Sequence, residues 1–129
     1  MSRQRILIAD DDISVIEMLC ANLEKDYEVD AAHDGEEALA KIMNQGINRP
    51  DLIILDVIMP KVNGFDVAKK IKGNEVYKHI PIIMLTVKDQ PLDKVIGLFD
   101  CGVNYYLTKP ISINDLMILV LKILPKKNE

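Results

Sequence analysis

Four short apolar runs limit what this chain can fold into: Ile6-Leu7-Ile8-Ala9, Leu52-Ile53-Ile54-Leu55, Ile80-Pro81-Ile82-Ile83-Met84-Leu85 and Tyr105-Tyr106-Leu107. Each is too short to bury a helical face and too continuously apolar for a strand with one wet side. Such runs read as strands covered on both faces of a parallel sheet. The segments between them carry apolar residues at helical spacing instead. The pattern predicts a strand over 6–10, a helix over 13–25 (Val15, Ile16, Met18, Leu19, Leu23), a strand over 27–32, and a helix over 36–44 (Ala38, Leu39, Ile42, Met43) stopped by Gly46. A strand over 51–55 follows, its start marked by Pro50, then a helix from Gly64 to about Lys72 and a strand over 80–85. A helix over 92–101 ended by Gly102, a strand over 104–108 and a helix over 113–124 complete the order. Five strand–helix units with short connections imply an α/β fold: one doubly wound, five-stranded parallel sheet with helices on both faces.

The 129 residues suffice for one domain, expected over 1–125, with 126–129 a frayed tail or the start of a linker. No apolar stretch approaches the ~20 residues that span a bilayer, and Met1-Ser2-Arg3-Gln4-Arg5 leads straight into the first strand without a signal-peptide pattern. The expected location is therefore the cytoplasm, with no membrane partner. A net charge of −4 argues against nucleic-acid binding by this domain itself. Cys20 and Cys101, far apart and without CxxC spacing or a His cluster, read as small buried hydrophobes.

In an open α/β sheet, ligands bind beyond the carboxyl ends of the strands. Asp10, Asp11, Asp56, Thr86 and Lys109 all stand there, so three carboxylates, one hydroxyl and one ammonium converge on one edge. That set suits a hard cation and a phosphoryl group. Helix capping accounts for one member of Asp10-Asp11-Asp12, most simply Asp12. It does not call for three adjacent acids, and oxygen-only ligands favour Mg²⁺ or Mn²⁺ over zinc. Asp56 ends an otherwise apolar strand, where a cation and Lys109 would hold it ionised. An ionised carboxylate beside Mg²⁺ is a nucleophile toward phosphorus and gives an aspartyl phosphate. Lys109 would stabilise charge on the equatorial oxygens, and Thr86 would donate to them after transfer. Pro110 pushes Lys109 toward extended backbone and so aims it at the acids; a cis peptide would fix that aim. Taken singly, Thr86 and Lys109 would be solvated loop residues.

Four stretches, Ile6-Leu7-Ile8-Ala9-Asp10-Asp11-Asp12, Asp56-Val57-Ile58-Met59-Pro60 with Gly64 beyond it, Leu85-Thr86, and Tyr106-Leu107-Thr108-Lys109-Pro110, resemble a response-regulator receiver domain of two-component signalling in content and order. The resemblance spans nearly the whole chain and implies a flavodoxin-like (βα)5 fold with strand order 2-1-3-4-5. It implies that Asp56 is the phosphoacceptor, charged from a phosphohistidine on a sensor histidine kinase or phosphotransfer protein. Asp11, Asp56 and the backbone carbonyl of Ile58 would bind Mg²⁺, with Asp10 supporting through water. Thr86 and Tyr106 would be the switch pair, changing the face made by the helix at 92–101, the last strand and the last helix. By resemblance the chain catalyses only its own phosphorylation and slow autodephosphorylation, and is otherwise no enzyme. Tyr106 is chosen over Tyr105 because it lies three before Lys109, as in the family; Tyr105 stands where the family often has a small or acidic residue. The positions that tune phosphate lifetime are Ile58 and Lys88, and an apolar Ile58 gives no help in orienting an attacking water.

On the last helix, Ile113, Leu116, Val120, Ile123 and Leu124 make a core-facing stripe, with Leu119 at its margin. Met117, Ile118 and Leu121 fall on the side away from it. They are expected to serve a homodimer or the docking of an effector domain. Asp115 and Lys122 are too few charges for the charge-paired interface of many DNA-binding relatives.

Three rival readings are weaker. An aspartate-nucleophile phosphatase would want a second Asp where Ile58 stands. A nucleotide or flavin binder would want a Gly- or Ser/Thr-rich first turn, whereas Asp10-Asp11-Asp12 repels phosphate without a cation. A phosphorylation-independent interaction module would tolerate losses in the phosphorylation set, and no member is missing.

Overall fold

The computed structural model describes residues 3–43, 49–87 and 102–125. Gly46, Lys88, the helix expected over 92–101 with Cys101, and the tail 126–129 lie outside the described residues. The strands are β1 (Arg5–Ala9), β2 (Glu28–Ala32), β3 (Leu52–Asp56), β4 (Ile82–Val87) and β5 (Tyr105–Lys109). All neighbours pair in parallel, in the order β2-β1-β3-β4-β5. The described helices are α1 (Ile13–Leu23), α2 (Gly35–Met43), α3 (Gly64–Lys72) and α4 (Ile113–Ile123). Fold class and strand order are those expected.

Strand alternation sorts the apolar runs into two cores. Leu7, Ala9, Ile53, Leu55, Ile82 and Met84 pack against α2 and α3 through Ala38, Ile42, Val67, Ala68 and Ile71. Ile6, Ile8, Leu52, Ile54, Ile83 and Leu85 pack against α1 and α4 through Ile16, Leu19, Leu23, Leu116 and Val120. All residues of β3 are buried, and each buried Ile or Leu contributes about 1.5–3 kcal/mol. A one-residue slip of β3 would exchange its two faces, so the same burial that forms the sheet fixes where Asp56 points.

Several boundaries differ from the sequence pattern. β4 starts at Ile82, because Pro81 has no N–H for the ladder; its carbonyl still accepts from Ile53 N–H at 3.1 Å. β3, β4 and β5 run to Asp56, Val87 and Lys109, so Asp56, Thr86 and Lys109 belong to the strands rather than to the loops beyond them. α1 stops at Leu23, and Glu24 N–H closes its last turn on Cys20 C=O at 2.9 Å. Met117 requires a correction. Expected on the outer side of the last helix, it packs partly against the α1/α4 core. It lies four residues after Ile113 and three before Val120, which continues one helical face. Ile118 and Leu121 do remain exposed, at 67% and 38%. No helix among the described residues is long and apolar enough to cross a membrane.

Candidate functional site

Among the described residues the buried polar or charged side chains are Asp10, Asp56 and Thr86. They stand just past β1, at the last residue of β3 and at the penultimate residue of β4. Burying a carboxylate is costly unless something compensates it. The compensation here is partial.

Asp10 Oδ1 accepts the Asp12 N–H at 2.9 Å. Asp10 Oδ2 is ion-paired with Lys109 Nζ at 2.9 Å but receives no hydrogen bond, so the demand of this fully buried oxygen is only partly met. Lys109, joined to Pro110 by a cis peptide, also reaches Asp56 Oδ1 at 3.5 Å. Single carboxylate oxygens of Asp10, Asp11 and Asp56 lie within 4.8 Å of one another, with Asp11 exposed. At such a range each like pair repels by roughly 3–4 kcal/mol at an effective dielectric of ~20. Burial, and next the charge of Asp10, push the Asp56 carboxyl up to about 7 against the opposing pull of Lys109. Burial pulls Lys109 down, but its contact with Asp10 and the charges of Asp56 and Asp10 outweigh this and hold it above the usual lysine range.

One ammonium thus faces three acids. A hard divalent cation fits that imbalance: the donors are all oxygen, and one of them is buried without a hydrogen bond. Asp12 is not part of this set. It caps α1, accepting Ser14 N–H at 2.9 Å and the Ser14 hydroxyl at 2.6 Å, as its place after two other acids suggested.

The loop after Asp56 folds back on it. Val57 N–H extends the ladder to Leu85 C=O at 3.1 Å, and Gly64 N–H returns to Val57 C=O at 2.8 Å. A Cβ on Gly64 would sit 2.1 Å from the Asp56 carbonyl oxygen, so only glycine lets α3 begin there. Asn63 caps α3 by accepting Asp66 N–H at 2.9 Å. The apolar pattern alone does not reveal this cap, although an Asn three residues before an Asp is a recognisable start signal. Ile58, within this loop, exposes 57% of its surface.

Thr86 and Tyr106 share a sheet face. Tyr106 pairs with Met84, two residues before Thr86, and packs against the α2/α3 core. Tyr105 packs against the opposite core. The two tyrosines, adjacent in sequence, therefore face different helices.

Residues 6–121 match the family model described as the response regulator receiver domain. The chain belongs to that family. Among curated relatives, the alkaline phosphatase synthesis transcriptional regulatory protein PhoP of Bacillus subtilis is 44% identical over 110 residues, which is 84% of this chain and 43% of PhoP. This chain spans less than half the length of the curated relatives it matches first. A response regulator structure from Chloroflexus aurantiacus superposes with a TM-score of 0.87 at 38% identity, covering 97% of this chain and 100% of that one. The Mn²⁺-bound form of response regulator Rcp1 superposes with a TM-score of 0.76 at 34% identity, covering 93% of this receiver domain and 91% of Rcp1. The carboxylate edge is thus the edge of a receiver domain of two-component signalling.

Proposed function

We propose that this receiver domain is a phosphoacceptor switch in which Asp56 takes a phosphoryl group from a phosphohistidine on a sensor histidine kinase or phosphotransfer protein. The observation that carries the reading is the buried Asp56 carboxylate, 3.5 Å from Lys109 and gathered with Asp10 and Asp11. An Asp56 oxygen attacks phosphorus as the phosphorus–nitrogen bond to the imidazole breaks; the ring nitrogen leaves with the electron pair. Asp11, Asp56 and the Ile58 backbone carbonyl, with Asp10 through water, would hold Mg²⁺ (or Mn²⁺). When bound, that cation offsets the carboxylates and the charge of the phosphoryl oxygens. The Lys109 ammonium, already placed between Asp10 and Asp56, stabilises the charge building on those oxygens. The Thr86 hydroxyl donates to a phosphoryl oxygen once transfer is complete, and Tyr106, behind it on the same face, turns into the space it leaves. A local change of charge then biases a two-state element. The altered surface includes β5 and α4, where exposed Ile118 and Leu121 offer contacts to a second copy or an effector domain. With Ile58 in place of a general acid, the domain processes only its own phosphate, and slowly. Its place is the cytoplasm, with the kinase.

Intact mass after incubation with acetyl phosphate and Mg²⁺ tests this. One added phosphoryl group (about 80 Da), absent with EDTA and absent in Asp56→Asn, is expected. No adduct in a wild type that binds metal would instead favour an interaction module that works without phosphorylation.

A further inference from the structure

The loop that leaves Asp56 is fastened to the start of α2, a contact between segments far apart in the chain. Gly35, the first residue of α2, is buried against the backbone of Val62. A Cβ there would fall 1.9 Å from the Val62 carbonyl oxygen and 2.7 Å from its carbonyl carbon. Neither atom is the free end of a side chain, so the whole loop would have to move. Beside it, Asp34 Oδ2 stands 3.7 Å from Lys61 Nζ. Lys61 has a φ of 70°, the left-handed region that non-glycine residues seldom adopt.

The anvil is rigid. Asp34 accepts the Glu37 N–H at 2.8 Å and Glu37 accepts the His33 N–H at 2.7 Å, so the first turn of α2 is capped by one side chain and tied by another to the residue before the cap. α2 in turn packs on the core that includes Leu7 and Ala9 of β1, the strand leading to Asp10. The far end of the loop is held by Gly64 at Asp56. Residues 57–63 are therefore pinned at both ends and at Lys61–Val62.

We infer that Asp34 and Gly35 are positioning residues for the cation site: by clamping Lys61 and Val62 they set where the Ile58 carbonyl lies relative to Asp10 and Asp56. This rests on the proposed reading that those groups hold a divalent cation. The clamp acts through the loop and touches neither cation nor phosphate.

The test is Mn²⁺ binding to the full chain, followed by electron paramagnetic resonance well below the melting temperature, with melting in EDTA measured separately. Wild type binds and Asp56→Asn does not; equal binding by the two overturns the underlying reading itself. Gly35→Ala weakens Mn²⁺ about 10- to 100-fold, the range typical of residues that orient metal ligands, and shifts the Ile58 and Met59 amide resonances in the metal-free protein. Lys61→Ala, on an exposed side chain, weakens it about threefold with little change in melting. A purely structural role lowers melting alone, so wild-type-like Mn²⁺ affinity in folded Gly35→Ala overturns the clamp while the site reading stands. If Gly35→Ala does not fold, Lys61→Ala decides, and unchanged affinity there counts against the clamp.

Discussion

Replacing Asp56 by Asn removes a buried charge that the metal-free fold holds at a cost, and the cost depends on pH in a calculable way. The Asp56 carboxyl is raised to about 7, by burial first and then by Asp10, against about 3.9 for an unfolded aspartate. A raised folded-state value means the folded chain binds the proton better than the unfolded one. The penalty is therefore absent below about pH 4, grows as pH rises toward 7, and levels off above. The gap between those two values sets its ceiling at about 4 kcal/mol, with about 2–3 kcal/mol of that appearing between about pH 5 and pH 8. Asp56→Asn removes the penalty, and Lys109 keeps its 2.9 Å partner Asp10 in the variant. In EDTA the variant should gain about 2–3 kcal/mol over wild type on going from pH 5 to pH 8, or very roughly 6–15 °C in melting temperature for a domain of this size. Urea unfolding of both proteins at several pH values measures it. Mg²⁺ at ten times its dissociation constant should stabilise wild type by about 1.4 kcal/mol and leave the variant unmoved. A stability difference that is flat with pH, or that grows toward acid, would refute the reasoning.

Three more outcomes follow from the same geometry. Lys109→Met leaves Asp10 and Asp56 without their cation; it should lower stability by about 3 kcal/mol in EDTA, partly recovered by Mg²⁺, and slow phosphorylation by acetyl phosphate at least tenfold, both readable by urea titration and timed mass spectra. Autodephosphorylation should be slow, because exposed Ile58 cannot orient water; Ile58→Asn should hasten it severalfold, and a wild-type half-life of seconds at neutral pH would contradict this. Leu121→Lys should weaken any self-association or effector contact without changing phosphorylation, as sedimentation and mass spectra would show.

Much of this was legible in the residues. Continuous apolar runs such as Leu52-Ile53-Ile54-Leu55 announce a doubly covered strand, and the acids beyond them mark the carboxyl edge. Asp12 is readable as a cap because its partner, Ser14, is local. What was not legible depends on tertiary contact. Met117 lies at the boundary between two helical faces, and only the position of α4 on the sheet turns it inward. The fit of Gly35 against Val62 joins residues 27 apart in the chain, and nothing near either one signals it. The strand ends moved for a simpler reason: the ladder continues wherever a neighbour offers a carbonyl, as Leu85 does for Val57, whether or not the side chain is apolar.

The central claim is that Asp56, and no other acid at this edge, becomes phosphorylated. Borohydride reduces an acyl phosphate to an alcohol, so treating the phosphorylated chain and mapping its peptides reads the site directly. Homoserine at position 56, dependent on Mg²⁺ and absent without phosphodonor, is the predicted result. Homoserine at Asp10, Asp11 or Asp12, with Asp56 intact, would contradict the account.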